Sequence, residues 1–260
     1  MSTALLARIV RPGLAAAVVL GALGIPNPAR AAAVETETVS RTAAFTPGAT
    51  LTVRNFSGHV TITGTDRADV SVQAVRRATR ERLDRIKLEV RTAEGGGVVI
   101  EANKQADRNR HDNDNVVETD LTIEVPRQAS LDVEAFSSAV EIRGITGKQH
   151  RVKTFSGDQR LDGITGPIDA DAFSGSITLA PGWQAGDRLS LHTFSGAIDV
   201  QVPSSAAASV EFSTFSGGFA CDLPITLRSK DKRNVRGDLG GGSGGELKLH
   251  TFSGDVHLRK

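Results

Sequence analysis

The tripeptide Phe-Ser-Gly returns six times in this chain, at Phe56-Ser57-Gly58, Phe155-Ser156-Gly157, Phe173-Ser174-Gly175, Phe194-Ser195-Gly196, Phe215-Ser216-Gly217 and Phe252-Ser253-Gly254. Phe136 opens a degenerate seventh copy, Phe-Ser-Ser. With each Phe as position zero, apolar residues fall at −5 and −3, a small residue at −1, and apolar residues again at +4 and +6. Around Phe194 these are Leu189, Leu191, Thr193, Ile198 and Val200; around Phe252 they are Leu247, Leu249, Thr251, Val256 and Leu258. The copy at Phe155 is the weakest, because His150 and Gln159 occupy two of the apolar positions.

Alternation on both sides of the tripeptide is the period of a strand with one buried face. The apolar parity is odd before Ser-Gly and even after it. A straight strand keeps one parity, so the chain must bend there, and glycine supplies the freedom for the bend. Each unit is a strand, a corner and a second strand. One unit cannot bury its own apolar face, whereas stacked units can. Successive Phe residues from Phe136 lie 19, 18, 21 and 21 residues apart. The expected fold is therefore all-β, a parallel β-solenoid of about 20-residue coils. An antiparallel β-sandwich is the alternative, since strands with turns every 8–12 residues also fit it. The gaps of 37 residues (Phe215 to Phe252) and 80 residues (Phe56 to Phe136) are close to two and four repeats.

Residues 1–31 read as a secretory signal peptide. Arg8 and Arg11 precede an apolar run, Gly13–Ile25, and Ala29-Arg30-Ala31 forms an A-x-A cleavage site at Ala31. The run is too short to span a bilayer, and no later segment is apolar enough to do so. Residues 32–46 read as a flexible lead-in and 47–260 as a single β-repeat domain. That domain carries a polar loop at 104–115 and a glycine-rich loop at 237–245. The chain has 31 Lys and Arg against 30 Asp and Glu. Loss of Arg8, Arg11 and Arg30 leaves a slightly acidic protein without a basic field for nucleic acid. The lone cysteine, Cys221, sits at a +6 position and reads as a small core hydrophobe.

The search for chemistry yields little. A catalytic serine occurs once beside its base, whereas a serine in every coil reads as a corner residue whose hydroxyl bonds nearby backbone. Gly241–Gly245 matches G-x-S-x-G but lacks the flanking strand and helix of a nucleophile elbow. Asp112-Asn113-Asp114-Asn115 begins like a calcium loop but lacks its glycine and distal glutamate. No metal, cofactor or catalytic residue is assigned. The arginines Arg76, Arg77, Arg80, Arg82 and Arg85 are interleaved with acids and read as a solvated face. Asp158, Asp169, Asp171, Asp199 and Asp255 are the carboxylates that could form a glycan-cleaving pair. The repeat phenylalanines point outward by simple alternation. Stacked coil on coil they would then form an aromatic ladder, a contact surface for a glycan or a protein. The preferred expectation is that the corner rotates them into the core or against a second layer, because an exposed aromatic row is a liability.

The chain resembles the exported bacterial putative-adhesin domain family, whose members repeat T-x-S-G-x-V strand units and whose function is largely unknown. The matching segments are Lys153–Asp158, Ala172–Ile177, His192–Ile198, Ser213–Gly217 and the terminal Gly240–Leu258, with Leu121–Leu131 as the lead-in. The resemblance implies a β-solenoid-like fold outside the cytoplasm and no known catalytic residues. The expected function is a non-enzymatic cell-envelope protein, binding or scaffolding an envelope protein or a glycan, in the periplasm, at the cell surface or secreted. The alternatives are a glycan-active enzyme on a β-helix and a structural protein that self-associates.

Overall fold

The computed structural model describes residues 33–105, 116–242 and 244–260. The signal-like segment 1–31, its cleavage residue Ala31 and the calcium-loop-like residues 112–115 lie outside the described residues.

Five repeat copies form strand pairs that bend at Ser-Gly. They are β8 (His150–Ser156) with β9 (Gln159–Ile164), β10 (Ile168–Ser174) with β11 (Ile177–Pro181), β12 (Asp187–Ser195) with β13 (Ile198–Gln201), β14 (Ala208–Ser216) with β15 (Phe219–Cys221), and β18 (Gly245–Ser253) with β19 (Val256–Arg259). In β2 (Thr50–Thr65) and β7 (Ser130–Arg143) the strand runs through the corner unbroken. Every coil pairs in parallel with the next, position for position: Leu191 lies beside Ala170 on one side and Leu249 on the other. The sandwich alternative therefore falls, and the coils form a parallel β-solenoid with two faces. The −5, −3, +4 and +6 side chains meet between the faces, and Leu189, Leu191, Ile198 and Val200 are all buried. Burial of an aliphatic side chain is worth about 1.5–3 kcal/mol, and this core repeats it in each coil.

The corner explains why glycine recurs. Gly196 has φ +156°, and a Cβ on it would come within 2.1 Å of the Gly175 carbonyl oxygen in the adjacent coil. Gly157 likewise sits against the Ser138 oxygen, at 2.2 Å from an added Cβ. The glycine lets neighbouring backbones approach closely. The Gly196 N–H donates to Ser253 O and the Gly175 N–H donates to Ser195 O, which continues the ladder around the bend.

Coil order departs from chain order. The last coil, β18–β19, does not close the array. It inserts between the β12–β13 coil and the β14–β15 coil, pairing in parallel with both. The two long gaps are not hidden repeats either. The segment 237–245, expected as a glycine-rich loop, begins inside an antiparallel hairpin. There β16 (Ile225–Lys230) pairs with β17 (Asn234–Leu239), and β17 pairs with β14 beyond the end of the parallel stack. Gly240, Gly241 and Gly242 then take positive φ to turn the chain back into the stack.

At the other end, residues expected as a flexible lead-in form β1 (Val34–Ala44), paired antiparallel along its length with β3 (Asp69–Thr79). β6 (Glu118–Pro126) joins β3 to the second face of β2, and the hairpin of β4 (Ile86–Thr92) and β5 (Val98–Gln105) joins its first face. These strands lack the Phe-Ser-Gly corner, so hairpin turns replace coil turns. A single helical turn, α1 (Arg80–Arg85), buries Leu83 against Ala78, Ile86 and Val117. The arginines are engaged locally: Arg76 pairs with Glu37, Arg77 with Glu118 and Asp120, and Arg80 with Asp84.

Candidate functional site

The −1 residue of each copy points inward just before the corner, where the two faces converge and only a small side chain fits. Thr193 is buried there, and its Oγ1 donates to Gly175 O at 3.2 Å. The next residue, the phenylalanine, must then point out. All seven repeat phenylalanines are exposed, between 41% and 55%. The expectation of burial is overturned. The bend reverses parity after the phenylalanine, not before it, so the ring stays on the outer side of the first face.

Parallel in-register pairing sets these rings one strand apart. Phe56, Phe136, Phe155, Phe173, Phe194, Phe252 and Phe215 form a single row, with centroids 4.6–5.0 Å apart. From Phe136 to Phe215 the planes are within 5° of parallel, and Phe56 is tilted by 15°. Each ring covers the face of the next, so the row shows solvent its edges. Stacking is worth about 0.5–1.5 kcal/mol per pair beyond area burial, and this offsets the exposure. The guanidinium of Arg233 lies 4.6 Å above the Phe215 ring and caps the row at that end.

A groove of about 1110 Å³ runs beside this ridge. Its far wall is the −2 row: Arg54, Glu134, Lys153, Asp171, His192 and His250. Neighbours in this row neutralise one another. Arg54 Nε lies 3.2 Å from Glu134 Oε2, and Lys153 Nζ lies 3.5 Å from Asp171 Oδ2. The His192 and His250 rings are 5.7 Å apart and hydrogen-bond to Ser190 and Ser213.

The other predicted candidates fall elsewhere. Ser57, Ser156, Ser174, Ser195, Ser216 and Ser253 sit at the exposed corner, but their hydroxyls do not make the expected bonds to nearby backbone. The backbone carbonyls of this row accept from the next coil instead. Ser138, which replaces the glycine in the degenerate copy, accepts a hydrogen bond from Asn55 Nδ2. Asp158 accepts the Ser176 N–H, and Asp255 accepts the Gly218 N–H, so both carboxylates tie one coil to the next. Asp169, Asp171 and Asp199 are each ion-paired, to Arg151, Lys153 and Arg259. Cys221 is half-buried against the core, and burial pushes its thiol above the ordinary cysteine range. Among the described residues no group of three or more His, Cys, Asp or Glu is placed to hold a metal ion. The sequence reading placed His192 and His250 on the solvent side two residues before a repeat Phe, but it did not assemble the −2 positions into a wall, and it missed the Arg233 cap. The wall was available from parity alone, whereas Arg233 reaches the ridge only through the β16–β17 hairpin.

Residues 48–259 match the model of the Toastrack DUF4097 family. The chain belongs to that family. Its T-F-S-G units are thus Toastrack repeats, as their resemblance implied. No curated protein matches this Toastrack chain. A solved structure described as a putative cell adhesion protein from Clostridium sporogenes shares the fold at 9% identity. It covers 86% of this chain and 99% of its own, with a TM-score of 0.50. A putative adhesin from Bacteroides fragilis aligns at 9% identity over 85% of this chain and 97% of its own, with a TM-score of 0.34. One from Parabacteroides distasonis aligns at 8% identity over 88% and 98%, with a TM-score of 0.29.

Proposed function

We propose that this protein is a non-enzymatic, adhesin-like binding module, exported through its signal-like N-terminal segment, and that the phenylalanine ridge with its groove is the contact surface. The observation that carries this reading is the continuous exposed row itself. Seven half-exposed rings present on the order of 600 Å² of apolar surface, as much as the largest patch on a typical monomer. The core is filled by the −5, −3, +4 and +6 side chains without these rings.

The carboxylates support a binding role over glycan cleavage. Those in the groove sit in ion pairs, and those at the corner hold backbone N–H groups. None forms an isolated acid and nucleophile pair. Among the described residues no helix is long and apolar enough to cross a membrane.

The test is co-sedimentation of the purified protein with isolated cell envelopes, comparing the parent with Phe155→Glu/Phe173→Glu and assaying the same mixtures for released reducing ends. The expected result is binding by the parent, loss of binding by the variant and no release. Equal binding by both proteins would remove the ridge as the contact surface, and release of reducing ends would overturn the non-enzymatic assignment.

A further inference from the structure

We infer that the ridge takes a single long acyl chain bearing an anionic head, with the chain lying across the coils and the head at Arg233. This rests on the ridge being the binding surface and names its ligand class.

Four observations point to it. First, the ring faces are used up by stacking and only edges are exposed. A sugar ring needs a face to lie on; along the row none is open, and at the Phe215 end the terminal face is covered by Arg233. Second, the ridge strands from β7 to β14 are paired on both sides. An extended peptide laid over them would find no free main-chain partner, whereas an alkyl chain needs none. Third, the groove wall is neutralised within itself by Arg54–Glu134 and Lys153–Asp171, so neither a polyanion nor a polycation gains much there. Fourth, the apolar strip is straight and about 30 Å long, at one strand spacing per ring. It ends at a cation. Arg233 donates no side-chain hydrogen bond to a carboxylate among the described residues; Lys230 and Lys232 flank the same turn, and its one carboxylate, Asp231, is taken up by the backbone N–H groups of Arg233 and Asn234, which leaves the turn net positive. An apolar strip ending in a cationic tip is complementary to a long-chain anionic amphiphile.

The experiment is displacement of a fluorescent fatty acid, cis-parinaric acid, from the full protein by palmitate and by monopalmitin, which carries the same chain on a neutral head. Palmitate is expected to displace the probe. Arg233→Ala should weaken palmitate by about two- to fivefold, the range of an exposed ion pair, and leave monopalmitin unchanged. Phe173→Glu, and separately Phe194→Glu, should abolish displacement by both while circular dichroism shows an intact β-fold. No binding of the probe, or binding that neither ridge variant reduces, overturns the inference. So does a ridge-dependent dimer in sedimentation velocity that palmitate fails to dissociate. If envelope binding still depends on the ridge while acyl probes fail, the ligand class is wrong and the binding surface stands. If envelope binding also ignores the ridge, both readings fail.

Discussion

The inner aliphatic stacks and the outer phenylalanine row are written by the same repeat, yet they obey opposite rules. Inside, Leu191 lies between Ala170 and Leu249, out of water, and varies among Leu, Val, Ala and Phe from coil to coil. Outside, Phe194 lies half in water between Phe173 and Phe252, and its position is the same residue in all seven copies. The interior tolerates substitution because the neighbouring stacks share volume. The exterior row is uniform although burial does not require it. The lesson is that regular spacing reports stacking, whereas identity at an exposed position reports what the stack presents.

The comparison can be broken most severely at the corner. Gly196→Ala forces a Cβ into the Gly175 carbonyl. It should cost about 3 kcal/mol or more in denaturant unfolding; a smaller loss would show that the coils can separate there. Leu191→Ala should cost about 2–5 kcal/mol, measured the same way.

His150 sharpens the comparison from within the core. It is buried between Leu131 and Ile168, and its Nε2 meets Thr165 O at 3.0 Å. Burial holds its pKa below the ordinary 6.5. The unfolded chain therefore takes up the proton first. The stability contribution is complete above pH 6.5 and is lost as pH falls from there toward the folded value, by at most ~1.4 kcal/mol per pH unit. His150→Leu should remove this part of the acid sensitivity, so that parent and variant diverge progressively below pH 6.5 in urea titrations. Parallel curves would place His150 outside the acid response.

The smallest effect belongs to the ridge. Phe194→Ala should cost about 1–2 kcal/mol from lost stacking and partial burial, clearly less than Leu191→Ala in the same strand. A cost equal to that of the leucine would make the row a structural element.

Much of this was legible in the sequence because strand parity is unforgiving. The bend at Ser-Gly and the buried set Leu189, Leu191, Ile198 and Val200 follow from which residues alternate on each side of Phe194, and the repeat spacing favoured parallel coils over the antiparallel sandwich without deciding between them. The coil order did not follow. Phe194, Phe215 and Phe252 head nearly identical units, and a coil that fits beside one fits beside another, so similarity between repeats hides where β18–β19 inserts. The antiparallel ends were obscured for the opposite reason. Val34–Ala44 is polar and half-exposed, and its partner strand β3 lies beyond the first coil. Exposure of the row was misjudged because an exposed ladder was counted as a liability without the shielding its own stacking provides. At strand spacing the rings shield one another, and a row can stand in water where a single ring would be a liability.

The most direct measurement pairs thermal unfolding with envelope co-sedimentation for Phe173→Glu and Leu191→Ala. The account predicts that Phe173→Glu melts close to the parent yet no longer sediments with envelopes. It also predicts that Leu191→Ala melts markedly lower yet still binds below its melting point. If Phe173→Glu binds like the parent, or unfolds as readily as Leu191→Ala, the row is not a contact surface built outside a self-sufficient core.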